Sequence, residues 1–183
     1  MITHADNLFI ITGGPGAGKT TLLTAAASAG ICIGKEAARA IIQSQTAIDG
    51  PAVHWRDKAL FAELMLDRDI QTFEALSSIA GPVLCDRGIP DLVAYAHMFP
   101  LAQDAHFRRA ANLYRYNPIV FFAPPWREIF VTDAERVEGW EHAVSVYAPM
   151  RDVYAELGYR VVELPKAPVA ERLAFVRDVI AHA

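Results

Sequence analysis

Cysteine is scarce: Cys32 and Cys85 are the only two in 183 residues. No CxxC pair and no His/Cys group of zinc spacing goes with them, which excludes a zinc-finger or thioredoxin-type site. Both lie in or at the end of apolar runs, so buried reduced thiols are the simplest reading. No apolar run approaches the ~20 residues of a membrane span. An excess of positive charge is missing as well. The net charge of −4 supplies no field for gripping nucleic acid or an anionic membrane. The stretch Met1-Ile2-Thr3-His4-Ala5-Asp6 has neither a basic n-region nor an apolar h-region, so no signal peptide and a cytoplasmic location are expected. Repeats, low-complexity tracts and Ser/Gly linkers are also lacking. One domain with a real core, spanning residues 1–183, suits this length.

What is present is "GGPGAGKTT", Gly13-Gly14-Pro15-Gly16-Ala17-Gly18-Lys19-Thr20-Thr21. It follows the β-favouring run Leu8–Thr12 and precedes Leu22–Ala27, good helix material. The spacing Gly13-x4-Gly18-Lys19-Thr20 is the full P-loop pattern in its strand–loop–helix context. Glycines let successive backbone N–H groups turn toward one anion with no Cβ in the way. A helix beginning near Lys19 adds the positive end of its dipole. Lys19 is expected to reach the β- and γ-phosphates, and the Thr20 hydroxyl to take a Mg²⁺ position.

Short apolar runs alternate with longer helical patterns. Strands are expected at Leu8–Thr12, Ile31–Ile33, Val83–Cys85, Ile119–Phe122 and Arg160–Leu164. The long intervals permit helical crossovers, which predicts an α/β fold with a largely parallel sheet and helices on both faces. Leu60, Phe61, Leu64, Met65, Ile70, Phe73 and Leu76 mark one helix by their spacing. Val137, Trp140, Val144 and Tyr147 mark another, with Pro149 expected to break or kink it. Gly158 is placed to stop the Tyr154–Leu157 segment before the last strand.

Ligands of an open parallel sheet sit at the carboxyl ends of its strands, so the residues after each strand are the candidates. Asp86 ends the third run, where a P-loop enzyme places the acid that orients Mg²⁺ or takes a proton; a plain strand-end cap is the alternative. Arg87 follows it, not a second acid, which argues against a motor ATPase. Glu36 comes after the second strand. If a helix starts there, Arg39 lies one turn on, and the pair either binds and deprotonates a hydroxyl or is a solvated helix pair. After the fourth strand, Arg127 and Arg136 flank residues 128–135. A lid-like segment at about 125–140 would carry them onto a transferring phosphoryl group, unless they are ordinary exposed arginines.

With "GGPGAGKTTLL", "EAARAII", "DRGIPDLVAY", "RYNPIVFFAPPW", "DAERVE" and "LGYRVVELPK", the chain resembles the small bacterial P-loop proteins of the AAA-type or predicted-ATPase group. They are relatives of the nicotinamide-riboside-kinase domain and, more distantly, of deoxynucleoside and thymidylate kinases. The resemblance runs from Phe9 to Val176. It implies a P-loop NTPase three-layer sandwich with a five-stranded parallel sheet of order 2-3-1-4-5. It implies that Glu36 can be the base for a substrate hydroxyl, and that Asp86-Arg87 serve metal and substrate. It also implies that Leu164–Val169 lines the nucleotide base. The triplet of deoxynucleoside kinases after strand three is absent, so a nucleoside acceptor does not follow. No Asn-Lys-x-Asp guanine motif occurs, which favours ATP over GTP.

Two functions are compatible with these residues. One is an ATP- and Mg²⁺-dependent phosphotransferase acting on the hydroxyl of a small molecule. Its catalytic residues would be Lys19, Glu36, Asp86, Arg87, Arg127 and Arg136, with Thr20 and Asp86 on the metal. Trp55, Tyr95 and Tyr116 would wall the acceptor, or else belong to the core. The other is an ATPase or nucleotide switch that signals to a protein. A second enclosed cavity beside the γ-phosphate position discriminates them, because only the first needs one.

Overall fold

The computed structural model describes residues 2–99, 101–102, 104–131 and 139–183. Its strands are β1 (Thr3–Ala5), β2 (Leu8–Gly13), β3 (Cys32–Gly34), β4 (Val83–Asp86), β5 (Tyr114–Tyr116), β6 (Ile119–Ala123) and β7 (Arg160–Glu163). Its helices are α1 (Lys19–Ser28), α2 (Ala37–Ala47), α3 (Lys58–Ser77), α4 (Ile89–Met98), α5 (Asp104–Leu113), α6 (Trp140–Ser145), α7 (Tyr147–Glu156) and α8 (Val169–Ala181). The main sheet is five-stranded and parallel, in the order β3-β4-β2-β6-β7. Counted along the chain, its strands stand 2-3-1-4-5, the expected order.

Side-chain alternation explains the three layers. Leu8, Ile10, Val83, Cys85, Val120 and Phe122 point to one face and pack with α3, α4, α5 and α7. Phe9, Ile11, Leu84, Ile119 and Phe121 point to the other and pack with α1 and α8. Central strands covered on both sides read as continuous apolar runs, which is why β2 and β6 were legible. Cys85 is buried, and burial pushes its thiol up to about 12; both cysteines are free. Among the described residues no helix is long and apolar enough to cross a membrane.

Three expectations need correction. β3 begins at Cys32 and runs to Gly34, one residue later than the apolar pattern suggested. A small parallel pair, β1 with β5, was not anticipated; its strands have three residues each, too few for periodicity to register. The break between α6 and α7 falls at Val146, not at Pro149. Pro149 is the third residue of α7, where its missing N–H is an orphan donor in any case. Val137, also assigned to that helix, lies outside the described residues. Gly158 does stop α7: its φ is +81°, and the N–H groups of Gly158 and Tyr159 donate to Ala155 O at 2.9 Å and Tyr154 O at 3.0 Å.

Candidate active site at the phosphate loop

β2 ends at Gly13 and α1 begins at Lys19, with the loop turning between them. The turn needs left-handed backbone at Gly16 and Gly18, φ +69° and +74°. A Cβ on Gly18 would come within 2.6 Å of Arg172 Nη1 and 2.9 Å of Ile129 Cδ1, so a larger residue would have to displace both side-chain ends as well as hold a left-handed backbone. Lys19 is buried, and its Nζ donates to the carbonyls of Gly13 at 2.9 Å and Gly14 at 2.8 Å. Burial first, and the Arg87 charge second, lower its pKa to about 7; Asp86, Glu36 and Asp91 pull the other way.

Arg87 is the hub of the adjoining acids. It has a left-handed backbone, φ +67°, which costs a non-glycine residue about 1–2 kcal/mol. Its Nε donates to Glu36 Oε1 at 3.1 Å and its Nη1 to Asp91 Oδ1 at 3.1 Å. Glu36 is held there as the residue capping α2. Arg39 lines the same cavity as Glu36, so the expected pair shares a site, and Arg87 makes an ion pair with Glu36 there. Burial alone would lower the pKa of the Arg87 guanidinium, but the charges of Asp91, Glu36 and Asp86 outweigh it and raise it above the ordinary value, so Arg87 stays charged.

Asp86 sits at the end of β4 beside β2, paired in register with Ile11. Its Oδ1 is buried without a hydrogen-bond partner among the described residues. Burial and then the Glu36 charge push its carboxyl upward, against Lys19 and Arg87. Thr20 is exposed and lines, with Lys19, Glu36, Asp86 and Arg87, one cavity of about 150 Å³. A hydroxyl and one orphaned carboxylate facing a phosphate loop fit Mg²⁺, which keeps several waters and takes few protein ligands. Among the described residues there is no cluster of three or more His, Cys, Asp or Glu to hold a metal by protein groups alone.

Two further cavities flank the loop. One, of about 260 Å³, runs along Gly16–Thr21 and is walled by Trp126, Ile129, Pro168 and Arg172. Of the Leu164–Val169 segment, Ala167, Pro168 and Val169 line it, whereas Leu164 is buried in the core. The other, of about 250 Å³, opens on the opposite side of the loop at Gly14 and Pro15 and has Glu36 and Arg87 in its wall. Phe61, Tyr95 and Phe99 supply its aromatic lining. Trp55 is 57% exposed and its neighbour His54 takes the lining position; Tyr116 is core, its hydroxyl accepting from Ile89 N at 3.5 Å.

Arg127 is exposed, with its guanidinium 5.4 Å from the ring centre of Trp140, and lines none of these cavities. Arg136 lies outside the described residues.

Sequence reasoning missed two supports of the site. Asp91 is buried and accepts from Thr12 Oγ1 at 2.5 Å, Tyr154 OH at 2.6 Å, Gly88 N at 3.1 Å and Arg87. Its place four residues after Arg87, in the first turn of α4, was the available signal. Arg172 of α8 is buried and donates to Ala17 O and Gly18 O, both at 3.2 Å. Nothing local marks a contact made 155 residues away.

No curated protein matches this sequence at a significant level. Among solved structures, the NadR protein in complex with NR superposes with a TM-score of 0.72 at 19% identity, over 97% of this chain and 50% of that one. The chain thus spans about half the length of that protein. Deoxyadenosine kinase from M. mycoides with bound dATP gives 0.65 at 16% identity, over 95% of this chain and 98% of that one. Thymidylate kinase from Ehrlichia chaffeensis gives 0.63 at 15%, over 95% and 97%. These likenesses establish a kinase-like P-loop fold. The model of the AAA domain family matches residues 8–172, and the chain belongs to that family.

Proposed function

We infer that the protein is an ATP-dependent phosphotransferase whose acceptor is a hydroxyl of a small molecule. The observation that carries this reading is the 250 Å³ cavity that meets the phosphate loop at Gly14 and Pro15 and has Glu36 and Arg87 in its wall. The cavity is half-open rather than enclosed, and a switch or ATPase signalling to a protein has no use for a second, largely apolar chamber there. ATP is preferred over GTP because the guanine motif is absent, and the triphosphate runs along Gly13–Thr21 with its base toward Ala167–Val169.

The geometry supports the following division of labour. Backbone N–H groups of the loop and Lys19 hold the β- and γ-phosphates. Thr20 and Asp86 would hold Mg²⁺, whose charge would stabilise the phosphate oxygens. Glu36 accepts the proton of the acceptor hydroxyl as its oxygen bonds to the γ-phosphorus and the bond to the bridging oxygen of ADP breaks. Asp86, which faces the same cavity, is the alternative base. Arg87 stabilises the negative charge that builds between them, and Arg127 and Arg136 join it if the segment at about 125–140 folds over the loop.

The test is ADP release with Mg²⁺ and ATP, with and without candidate acceptors. Slow basal hydrolysis that one class of small hydroxyl compound accelerates, and that Glu36→Gln returns to basal, is the expected outcome. Equal rates under all acceptors, with Glu36→Gln indistinguishable from wild type, would remove the reading.

A further inference from the structure

The side of α3 that faces the 250 Å³ cavity carries Phe61, Met65 and Asp69, spaced four apart, and continues into fully buried Phe73. An acid thus stands where an apolar residue is expected. Asp69 is only half-buried, yet it lies among Met65, Leu92 and Phe61 with no hydrogen bond or ion pair among the described residues. Of the Lys and Arg side chains lining the cavity, Arg87 is already engaged by Glu36 and Asp91, and Lys58 stands over the ring of Phe99. A carboxyl left unpaired in an apolar chamber weakens the free protein, so its retention calls for a partner from outside.

We propose that Asp69 is the recognition residue of the acceptor chamber, and that the acceptor carries a positive charge or an N–H donor group at the end remote from its reacting hydroxyl. Aromatic side chains from Phe61, Tyr95 and Phe99 would enclose the body of such a molecule, and a cationic or N–H-bearing flat group suits them. The hydroxyl end then lies toward Glu36 and Arg87 at the phosphate loop. Burial, reinforced by Asp91 and Glu36, raises the Asp69 carboxyl well above the ordinary range, and a ligand cation would reverse that shift.

This proposal rests on the phosphotransferase reading for the fate of the ligand, but its test contains no nucleotide. Benzamidine, a flat cation, and acetophenone, a neutral molecule of the same shape without a donor, are titrated into the wild-type protein, Asp69→Asn and Asp69→Leu. Benzamidine should bind the wild type and weaken by roughly tenfold or more in both variants. Acetophenone should not distinguish wild type from Asp69→Asn. Thermal melting supplies the second readout. Asp69→Leu should raise Tm by roughly 2–6 °C, because an unpaired acid is replaced by an apolar side chain of similar size. A purely structural Asp69 would instead lower Tm when replaced. Failure of benzamidine to bind the wild type, equal binding in Asp69→Asn, or a lower Tm for Asp69→Leu each overturns the proposal. Acceptor-stimulated ADP release is unaffected by any of these results as a test of the parent reading.

Discussion

Nucleotide binding should draw a proton into the protein at mildly alkaline pH. Lys19 is buried against two carbonyls and beside Arg87, which lowers its pKa to about 7 from an ordinary value of 10.5. With that value, about a tenth of the Lys19 side chains are charged at pH 8 and about nine tenths at pH 6. A triphosphate delivered to the loop stabilises the charged form and returns Lys19 to full protonation. The uptake on binding is then about 0.9 proton at pH 8 and about 0.1 at pH 6. The terminal phosphate, with its second ionisation near ~6, is already ionised at pH 8 and adds little. The sign for stability follows from the same shift. Between about pH 7 and 10.5 the unfolded chain binds more protons at Lys19 than the folded one, so its share of stability rises with pH across that window. Calorimetry of ATP binding in buffers of different ionisation enthalpy measures the uptake directly. Lys19→Arg, always charged, should abolish it at pH 8. Uptake that is absent at pH 8, equal at pH 6 and pH 8, or unchanged in Lys19→Arg would refute the reasoning.

Two other substitutions probe the supports of the loop. Asp86→Asn should lower Mg²⁺-dependent turnover by roughly 100-fold while changing ATP affinity without metal by less than about threefold, as equilibrium binding with and without chelator would show; its orphaned oxygen is the basis. Arg172→Met keeps the packing of α8 but strips donors from Ala17 O and Gly18 O, and should weaken ATP by roughly 5- to 30-fold, about 1–2 kcal/mol, with little effect on far-UV dichroism.

How much could be read beforehand depended on how local each signal was. β2, β4 and β6 are buried on both faces, so their apolar runs announced them, and the P-loop is a contiguous motif with its own backbone requirement. Glu36, Asp86 and Arg87 line one cavity because parallel strands deliver their carboxyl-end residues to one cleft. What escaped was pairing across the chain. Arg87 could equally have met Arg39's neighbours or solvent; that it bridges Glu36 and Asp91 depends on its left-handed backbone, which no pattern of a non-glycine residue encodes. Arg172 and Tyr154 reach the site from the last third of the sequence. Trp55 misled because an aromatic near a site suggests a wall, whereas the adjacent residue His54 faces inward and the indole stands edge-on to it at 4.6 Å.

The central claim, transfer of phosphate to a small acceptor, is tested most directly by one assay: ADP release from Mg²⁺ and ATP across a library of small hydroxyl compounds, run on wild type and Glu36→Gln in parallel. The phosphotransferase reading predicts that one chemical class raises the rate at least about tenfold over basal, that the phosphate appears on that compound, and that Glu36→Gln removes the stimulation while ATP affinity stays within about twofold. Stimulation by a protein partner but by no small molecule, with Glu36→Gln behaving as wild type, would contradict it and leave a nucleotide switch in its place.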